Sequence, residues 1–299
     1  MKTHLDVLRA MSQERRGALN MRSNWAGLRH LALYLSYLTV TSLWIGFGAP
    51  FWQVALLPQG LFLVFLFTLQ HECTHETPFE AVILSTLTGH VCALVLLQPF
   101  NAFRYFHLAH HRYTNDPERD PELLGGAKPE TWGAMIWHVS GLPYWSAGIG
   151  LTLRNAVAPQ AASYLPVRVK PRLKREARWM LVGYFMIALS LFWSSLALWL
   201  WIIPALISMP FLRLYLLAEH GRCPAVANML ENTRTTYTTR AMRFLAWNMP
   251  YHIEHHSAPN VPFHKLPDLH VEMQRDLVSV SDGYATFIRD YAANLRQDN

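Results

Sequence analysis

The sequence predicts an all-α integral membrane protein with four transmembrane helices, interfacial helices and a cytosolic helical cap. Composition is the first reason: 52% of the 299 residues are hydrophobic and 15% charged, with a mean hydropathy of +0.10, whereas soluble domains carry roughly 25% charged residues. The second is the arrangement of long uncharged runs flanked by Lys and Arg, the pattern of spans with cytoplasmic loops. The third is a recurring histidine spacing. His71 and His75 stand at i, i+4, while His107, His110, His111 and again His252, His255, His256 stand at offsets 0, 3 and 4, which share one face of a helix.

Residues 1–29 are polar and basic, with Lys2, Arg9, Arg15, Arg16, Arg22 and Arg29 and no small-residue cleavage site. They read as a cytoplasmic lead-in rather than a removable signal peptide. From His30 to Ala49 the chain is uncharged, and about 20 residues are enough to cross the hydrocarbon layer. Pro50 and Trp52 mark a bare turn. A second apolar run, Phe51 to Leu69, follows, with Pro58 and Gly60 as kink points. The basic lead-in and the uncharged turn place both ends of this 30–75 hairpin in the cytoplasm, so His71 and His75 emerge there.

Residues 81–98 are apolar again, but a crossing would put His75 and His107 on opposite sides of the bilayer. The run is therefore expected to be an interfacial or re-entrant helix, and His90 within it a packed or interfacial residue. Asp116, Glu118 and Asp120 alternate with Pro117 and Pro121 and end the histidine helix. These acids either orient imidazoles from behind or cap the turn in solvent. Residues 131–153, rich in Trp and Gly, suit a helix lying in the interface, which completes an interfacial and cytosolic segment over 76–178. Arg168, Lys170, Arg172, Lys174, Arg175 and Arg178 form a cytoplasmic flank.

Between Trp179 and Ala218 the sole charge is Arg213, and the length suffices for two spans. The turn of this second hairpin, 179–220, is expected near Trp199 to Pro204, outside, so that His220 returns to the cytoplasmic face and Arg213 snorkels to the interface. Residues 221–299 complete the cap and tail, with His264 and His270 as outer-sphere or structural residues. No internal repeat or low-complexity tract divides the chain, and 1–299 reads as one domain. Cys73, Cys92 and Cys223 form no CxxC pair, which favours a reduced compartment. The net charge of +6 sits beside apolar segments rather than on a polar domain, which argues against nucleic acid as a partner.

His71, His75, His107, His110, His111, His220, His252, His255 and His256 are thus the candidate metal ligands. One transition metal takes at most about six donors and a zinc site about four, so this set calls for a dimetal site. Glu72, Glu219 and Glu254 adjoin ligands, but adjacent helix positions are expected to point elsewhere, and Glu72 with His75 is the one Glu-x-x-His in the sequence, where soluble di-iron bundles use two. An all-imidazole dimetal centre beside a bilayer points to iron activating O2 against an apolar substrate.

The segments HECTH, HLAHH and HIEHH resemble the three histidine boxes of the membrane fatty acid desaturase superfamily. The likeness runs from about residue 60 to 270 and includes Ala-Glu-His-Gly at 218–221, Thr-Asn-Asp-Pro at 114–117 and the Val-Pro-Phe-His-Lys-Leu-Pro that follows the third box. It implies a four-helix stem under a cytosolic cap, two Fe2+ ions held by the nine histidines, and a desaturase or hydroxylase acting on a fatty acyl or similar lipid. It is specific for the superfamily and not for the substrate. Neither GxGxxG nor CxxCH occurs, so electrons are expected from a separate ferredoxin, rubredoxin or cytochrome with its reductase, docking on the basic flank. A multi-pass protein of a bacterial inner membrane, its active site on the cytoplasmic side, is the setting this implies. Two other classes compete. A zinc hydrolase would need fewer ligands and a catalytic carboxylate, and a metal carrier would need ionisable residues inside its spans.

Overall fold

The computed structural model describes residues 2–297; residues 1, 298 and 299, at the ends of the N-terminal segment and the tail, lie outside the described residues. Two short helices, α1 (His4–Ala10) and α2 (Gln13–Leu19), are each started by a hydroxyl cap, Thr3 and Ser12. They lead into α3 (Asn24–Gly46), capped by Ser23. A short 3-10 turn, α4 (Leu56–Val64) and α5 (Leu66–His75) follow. Together they make one apolar stretch, Trp52–His75, long enough to cross a membrane. The kink expected at Pro58 and Gly60 is not there. Pro58 sits in the first turn of α4, where a missing N–H costs little, and the helical break falls at Phe65.

Next come α6 (Val82–Leu96) and α7 (Phe100–Tyr113), which meet at 101° as a broken span or a re-entrant loop. Leu97 makes the corner in the left-handed region at φ 57°. Tyr144 Oη donates to Gln98 Oε1 at 3.0 Å and Gln70 Nε2 donates to Gln98 O at 2.9 Å, which ties the corner to its neighbours. The remaining cap helices before the second long pair are α8 (Pro121–Leu124), α9 (Trp132–Val139) and α10 (Leu142–Val157).

The second long pair is α11 (Lys170–Ser190) and α12 (Ile203–His220), the latter preceded by a π-helical turn, Leu198–Ile202. The connection is therefore at 191–197, earlier than the expected Trp199–Pro204, because Pro204 can occupy the start of α12. Leu198–His220 is the second stretch able to cross a membrane, and the bent α6–α7 pair makes a third if it is one span. Helix α11 is also long, but Lys170, Arg172, Lys174, Arg175 and Arg178 all lie on it. Arg213 does not reach outward as expected. Helix α9 packs over it, its Nη2 lies 3.2 Å from His138 Nδ1, and its guanidinium stands 5.7 Å from the centre of the Tyr144 ring.

The last segment is made of α13 (Met229–Asn232), α14 (Arg240–Leu245), α15 (His252–Ser257), α16 (Leu266–Met273) and α17 (Tyr284–Ala292). A two-residue parallel pairing of β1 (Thr235–Thr236) with β2 (Val280–Ser281) clips it together. One cluster of buried apolar side chains joins the long helices to this segment through Tyr34, Phe65, Leu69, Leu212, Trp247 and Leu266. Outward-facing Trp25, Phe47, Trp179, Phe185 and Phe211 are exposed, an apolar surface of the kind that lipid covers.

The closest helix approach is between α4 and α12. A Cβ on Gly60 would lie 1.9 Å from Pro204 O and 2.2 Å from Ser208 Oγ, so only glycine lets these backbones touch. Gly60→Ala is expected to push the pair apart and destabilise the fold by about 1–3 kcal/mol. A lowered thermal midpoint in detergent checks this; an unchanged midpoint would mean that the contact is not structural.

Candidate metal centre

Four elements deliver the histidines. Helix α5 brings His71 and His75 to its last turn, α7 brings His107, His110 and His111, α12 ends on His220, and α15 carries His252, His255 and His256. All but the half-buried His75 are buried. The structure sorts them into two groups. In the first, ligand atoms of His71, His75, His107, His111 and His255 all lie within 4.8 Å of one another; His110, His220 and His256 form the second by the same measure. His252 stands at the edge of the second group, its Nε2 3.2 Å from that of His220. The two 0, 3, 4 motifs therefore divide crosswise. Helix α7 sends its first and last histidines to group one and His110 to group two, whereas α15 sends His255 to group one and its outer pair to group two.

Proton positions follow from the outer partners. His110 Nδ1 is 2.9 Å from Asp120 Oδ1, and His220 Nδ1 is 3.3 Å from the carbonyl of Asn232. Both acceptors require a proton on Nδ1. Thr114 Oγ1 donates to His110 O at 2.8 Å and so can only accept at 3.1 Å from His256 Nδ1, which leaves His256 Nε2 without a partner among the described residues. The Nε2 atoms of His110 and His220 face each other at 3.2 Å. Either a proton on His110 Nε2, next to the Glu122 carboxylate, or a metal ion can satisfy this contact. Group one is as tight, with His71 Nε2 2.7 Å from His255 Nε2 and His75 Nε2 2.9 Å from His107 Nε2. Both ring nitrogens of buried His111 lack a partner among the described residues. This donor set fits two transition-metal ions.

Burial holds His252, His255 and His256 well below the usual imidazole range, and neighbouring imidazoles add to the effect. Neutral rings are what metal binding needs.

The acids behind these rings resolve the choices left by the sequence. Asp120 is buried and also accepts from the Asn115 and Glu122 amides at 2.8 and 2.9 Å, so it is the orienting residue. Asp116 instead pairs with Arg119 at 2.6 Å, and Glu118 is exposed. Glu72 and Glu219 were expected to point away from the site, and here the structure corrects the sequence. Each turns from the histidine on its own helix toward one from α15: Glu72 Oε1 lies 3.6 Å from His255 Nδ1, and Glu219 Oε1 lies 3.6 Å from His252 Nδ1. Glu254 pairs with His270 and Thr235, which makes His270 an outer support of α15. His264 packs on Phe263 and hydrogen-bonds to the Met21 backbone. His90 lies away from both groups and pairs with Glu176 at 3.0 Å. Glu176 also accepts from the Asn101 amide at the start of α7.

Sequence reasoning missed Glu122, whose Oε2 comes within 3.6 Å of His110 Nε2 while Lys128 stands 3.7 Å from its other oxygen. It also missed Asn232 and Thr114. Their placement depends on contacts across the chain that no local spacing encodes.

Two outcomes are expected. Imidazoles depressed in the folded state add stability that is complete above the unfolded value of 6.5 and is lost as pH falls below it. The denaturation midpoint of the metal-free protein should therefore drop between about pH 7 and pH 5, at up to about 1.4 kcal/mol per pH unit for each group; a flat profile would contradict neutral burial. Asp120→Asn should weaken metal binding at group two by about 10- to 100-fold and spare group one, as read by Co2+ titration. Equal weakening of both would mean that the groups are not separate sites.

The chain is 25% identical over 246 residues to the sn-1 oleoyl-lipid 12-desaturase of Arthrospira platensis, covering 75% of this chain and 69% of that protein. It is 31% identical over 97 residues to the Picosynechococcus enzyme of the same name, covering 30% of this chain and 28% of the relative. An oleate hydroxylase of Claviceps purpurea is 36% identical over 73 residues, 24% of this chain and 15% of the relative. The matches to the last two thus span well under a third of those proteins. The profile of the fatty acid desaturase family matches residues 50–287, and this protein belongs to that family.

Proposed function

We propose that the protein is an O2-dependent desaturase that introduces a double bond into a fatty acyl or similar aliphatic chain, using two irons held by the nine histidines. The observation that carries this reading is the crosswise division of three histidine motifs and His220 into two adjacent groups of donors. Iron bound there supplies the activation of O2. The protein aims the imidazoles through Asp120, Glu72 and Glu219 and keeps the centre buried.

In this reading residues 1–299 form one domain with four spans, α3 and α11 joining the two more apolar helices. Their exposed apolar faces support it, as do the basic residues at one end of each. Both termini and the cap face the cytoplasm of a bacterial inner membrane. Desaturation with O2 takes two electrons from the substrate and two from outside and releases two waters. Arg168, Arg172, Arg175 and Arg178 are exposed on and beside α11 and offer an acidic ferredoxin, rubredoxin or cytochrome a docking surface that salt would weaken. The likeness to an oleate hydroxylase keeps hydroxylation as a second reading, with the same demand for two external electrons.

Mass spectrometry of lipids from cells with and without the protein separates the two: loss of two hydrogens means desaturation, and gain of one oxygen means hydroxylation. The product should require reductant, carrier and O2 together. It should disappear, with bound iron, in His220→Ala, while His90→Ala keeps both. One zinc per chain, or turnover without a reductant, would overturn the reading.

A further inference from the structure

A cleft of about 300 Å³ between α3 and α14 has no part in the metal centre. It is lined by His30, Arg240, Arg243, Phe244, Asn248 and Pro267. Its floor is aromatic. The His30 ring stacks on Phe244 with 4.5 Å between centroids and lies 4.1 Å from that of Trp247. His30 Nε2–H donates to Phe244 O at 2.9 Å, which fixes the imidazole. Beyond Phe244 the wall continues to Tyr37 and Phe62, at 6.1 and 6.4 Å.

The mouth is cationic. Arg240 is exposed, and Arg243 donates one Nη1 to Tyr251 Oη. Among the described residues neither makes an ion pair with a carboxylate. Asp268, which follows the lining residue Pro267, is engaged by Lys265 at 3.4 Å. Two guanidiniums are thus left with no negative partner over an aromatic wall. Leu33, Tyr37 and Val40 on α3 face outward and are exposed, and Arg22 and Arg29 lie at the end of α3 that holds His30. The cleft therefore opens where an apolar outer surface gives way to basic charge, which is the level of lipid headgroups.

We infer that this cleft binds the phosphate of an anionic glycerophospholipid. The guanidinium forks of Arg240 and Arg243 match phosphate oxygens, which a lone ammonium does less well. Phe244 and Tyr37 give the glycerol and upper acyl carbons a surface to lie on. Asp268 beside the mouth is paired with Lys265, so the mouth stays net cationic and favours an anionic headgroup over a zwitterionic one. This site goes beyond the proposed reaction, since it holds whether the bound lipid is a substrate or a neighbour. It also adjoins the centre: α14 runs into residues 247–251, and Arg243 touches Tyr251, which immediately precedes the ligand His252.

The test uses the full-length protein in nanodiscs of phosphatidylcholine with an equal share of phosphatidylglycerol, with native mass spectrometry reading the lipids retained. The wild type should retain phosphatidylglycerol over phosphatidylcholine by at least about tenfold. The R240Q/R243Q pair should lose that preference, and the R240K/R243K pair should keep part of it. No preference in the wild type, or the same preference in the Gln pair, would overturn the inference. Glycerol 3-phosphate and inorganic phosphate serve as soluble competitors; either one binding as tightly as phosphatidylglycerol would overturn the lipid assignment. If the Gln pair does not fold, phenylglyoxal labelling of the wild type decides: phosphatidylglycerol should protect Arg240 and Arg243 where phosphatidylcholine does not, and equal labelling would sink the idea. Because lipid binding is read rather than turnover, a protein that proved inactive or loaded with zinc would still answer the question.

Discussion

Three imidazole Nε2 atoms, those of His110, His220 and His256, converge on one small volume because their Nδ1 atoms are engaged by Asp120, Asn232 and Thr114. The rest of the fold has to hold that buried convergence of polar atoms together. The outer partners come from three places: Asp120 from the loop after α7, Asn232 from α13 and Thr114 from the end of α7 itself. Asn232 in turn donates to Thr114 O at 3.2 Å, and Asn115 donates to Asn232 O at 2.6 Å. Each outer partner is thus held by another, so no single imidazole can relax without disturbing the loop behind it. This mutual support is how a buried polar network keeps one geometry.

The long helices set where these loops can sit. Gly60 lets α4 and α12 touch, which fixes the spacing of the two chains that end in His71–His75 and His220. The 101° corner at Leu97 then turns α7 across the ends of those helices rather than along them. A left-handed leucine is a strained choice at such a corner. Here Gln98, the next residue, is gripped through both its side chain and its carbonyl, which offsets that strain. Glu176 on α11 accepts the Asn101 amide and steadies the start of the turned helix. The candidate ligands of α7 are therefore positioned by residues one to four turns away that never meet the site.

Local periodicity made the clustering of these histidines readable in the sequence. His71 and His75, or His107 and His111, need only a helix to share a face, and His220 followed from where an uncharged run returns to the basic side. The division into two groups was not readable. On α7 the offsets 0, 3 and 4 span a sector wide enough for His110 to lean toward α12 while its neighbours lean toward α5, and only the placement of those helices decides which way each ring goes. Glu72 and Glu219 were misjudged for a related reason. A residue adjacent to a ligand does point away from that ligand, yet in a site walled on all sides the direction away is toward another helix, here α15. The position of Arg213 escaped as well. An arginine in an apolar run is expected to reach for the interface, and nothing in its own helix shows that α9 folds over it with His138 as an acceptor.

The same outer carboxylates bear on why a neutral-ligand site can exist so far from water. Imidazoles bring no charge, so two divalent cations at this centre would place four positive charges in a buried volume. Desolvating them without compensation would be prohibitive. Asp120, Glu72 and Glu219 stand one residue behind the ligands, at 2.9, 3.6 and 3.6 Å from imidazole Nδ1 atoms of His110, His255 and His252. Under the di-iron reading their charge is drawn to the metals through the intervening rings, and the metals are what make it favourable to bury the carboxylates. Glu72 also accepts from Thr77 Oγ1 at 2.8 Å and the Phe263 amide at 3.2 Å, which fix where its carboxyl sits. Group two has two such acids, with Glu122 approaching His110 from the half-exposed side, whereas group one has Glu72 alone. The two groups therefore differ in surrounding charge as well as in ligand number. That asymmetry, set by α8 and its loop rather than by the histidine motifs, makes the two positions electrostatically unlike, so two ions of the same metal bound there would not be equivalent.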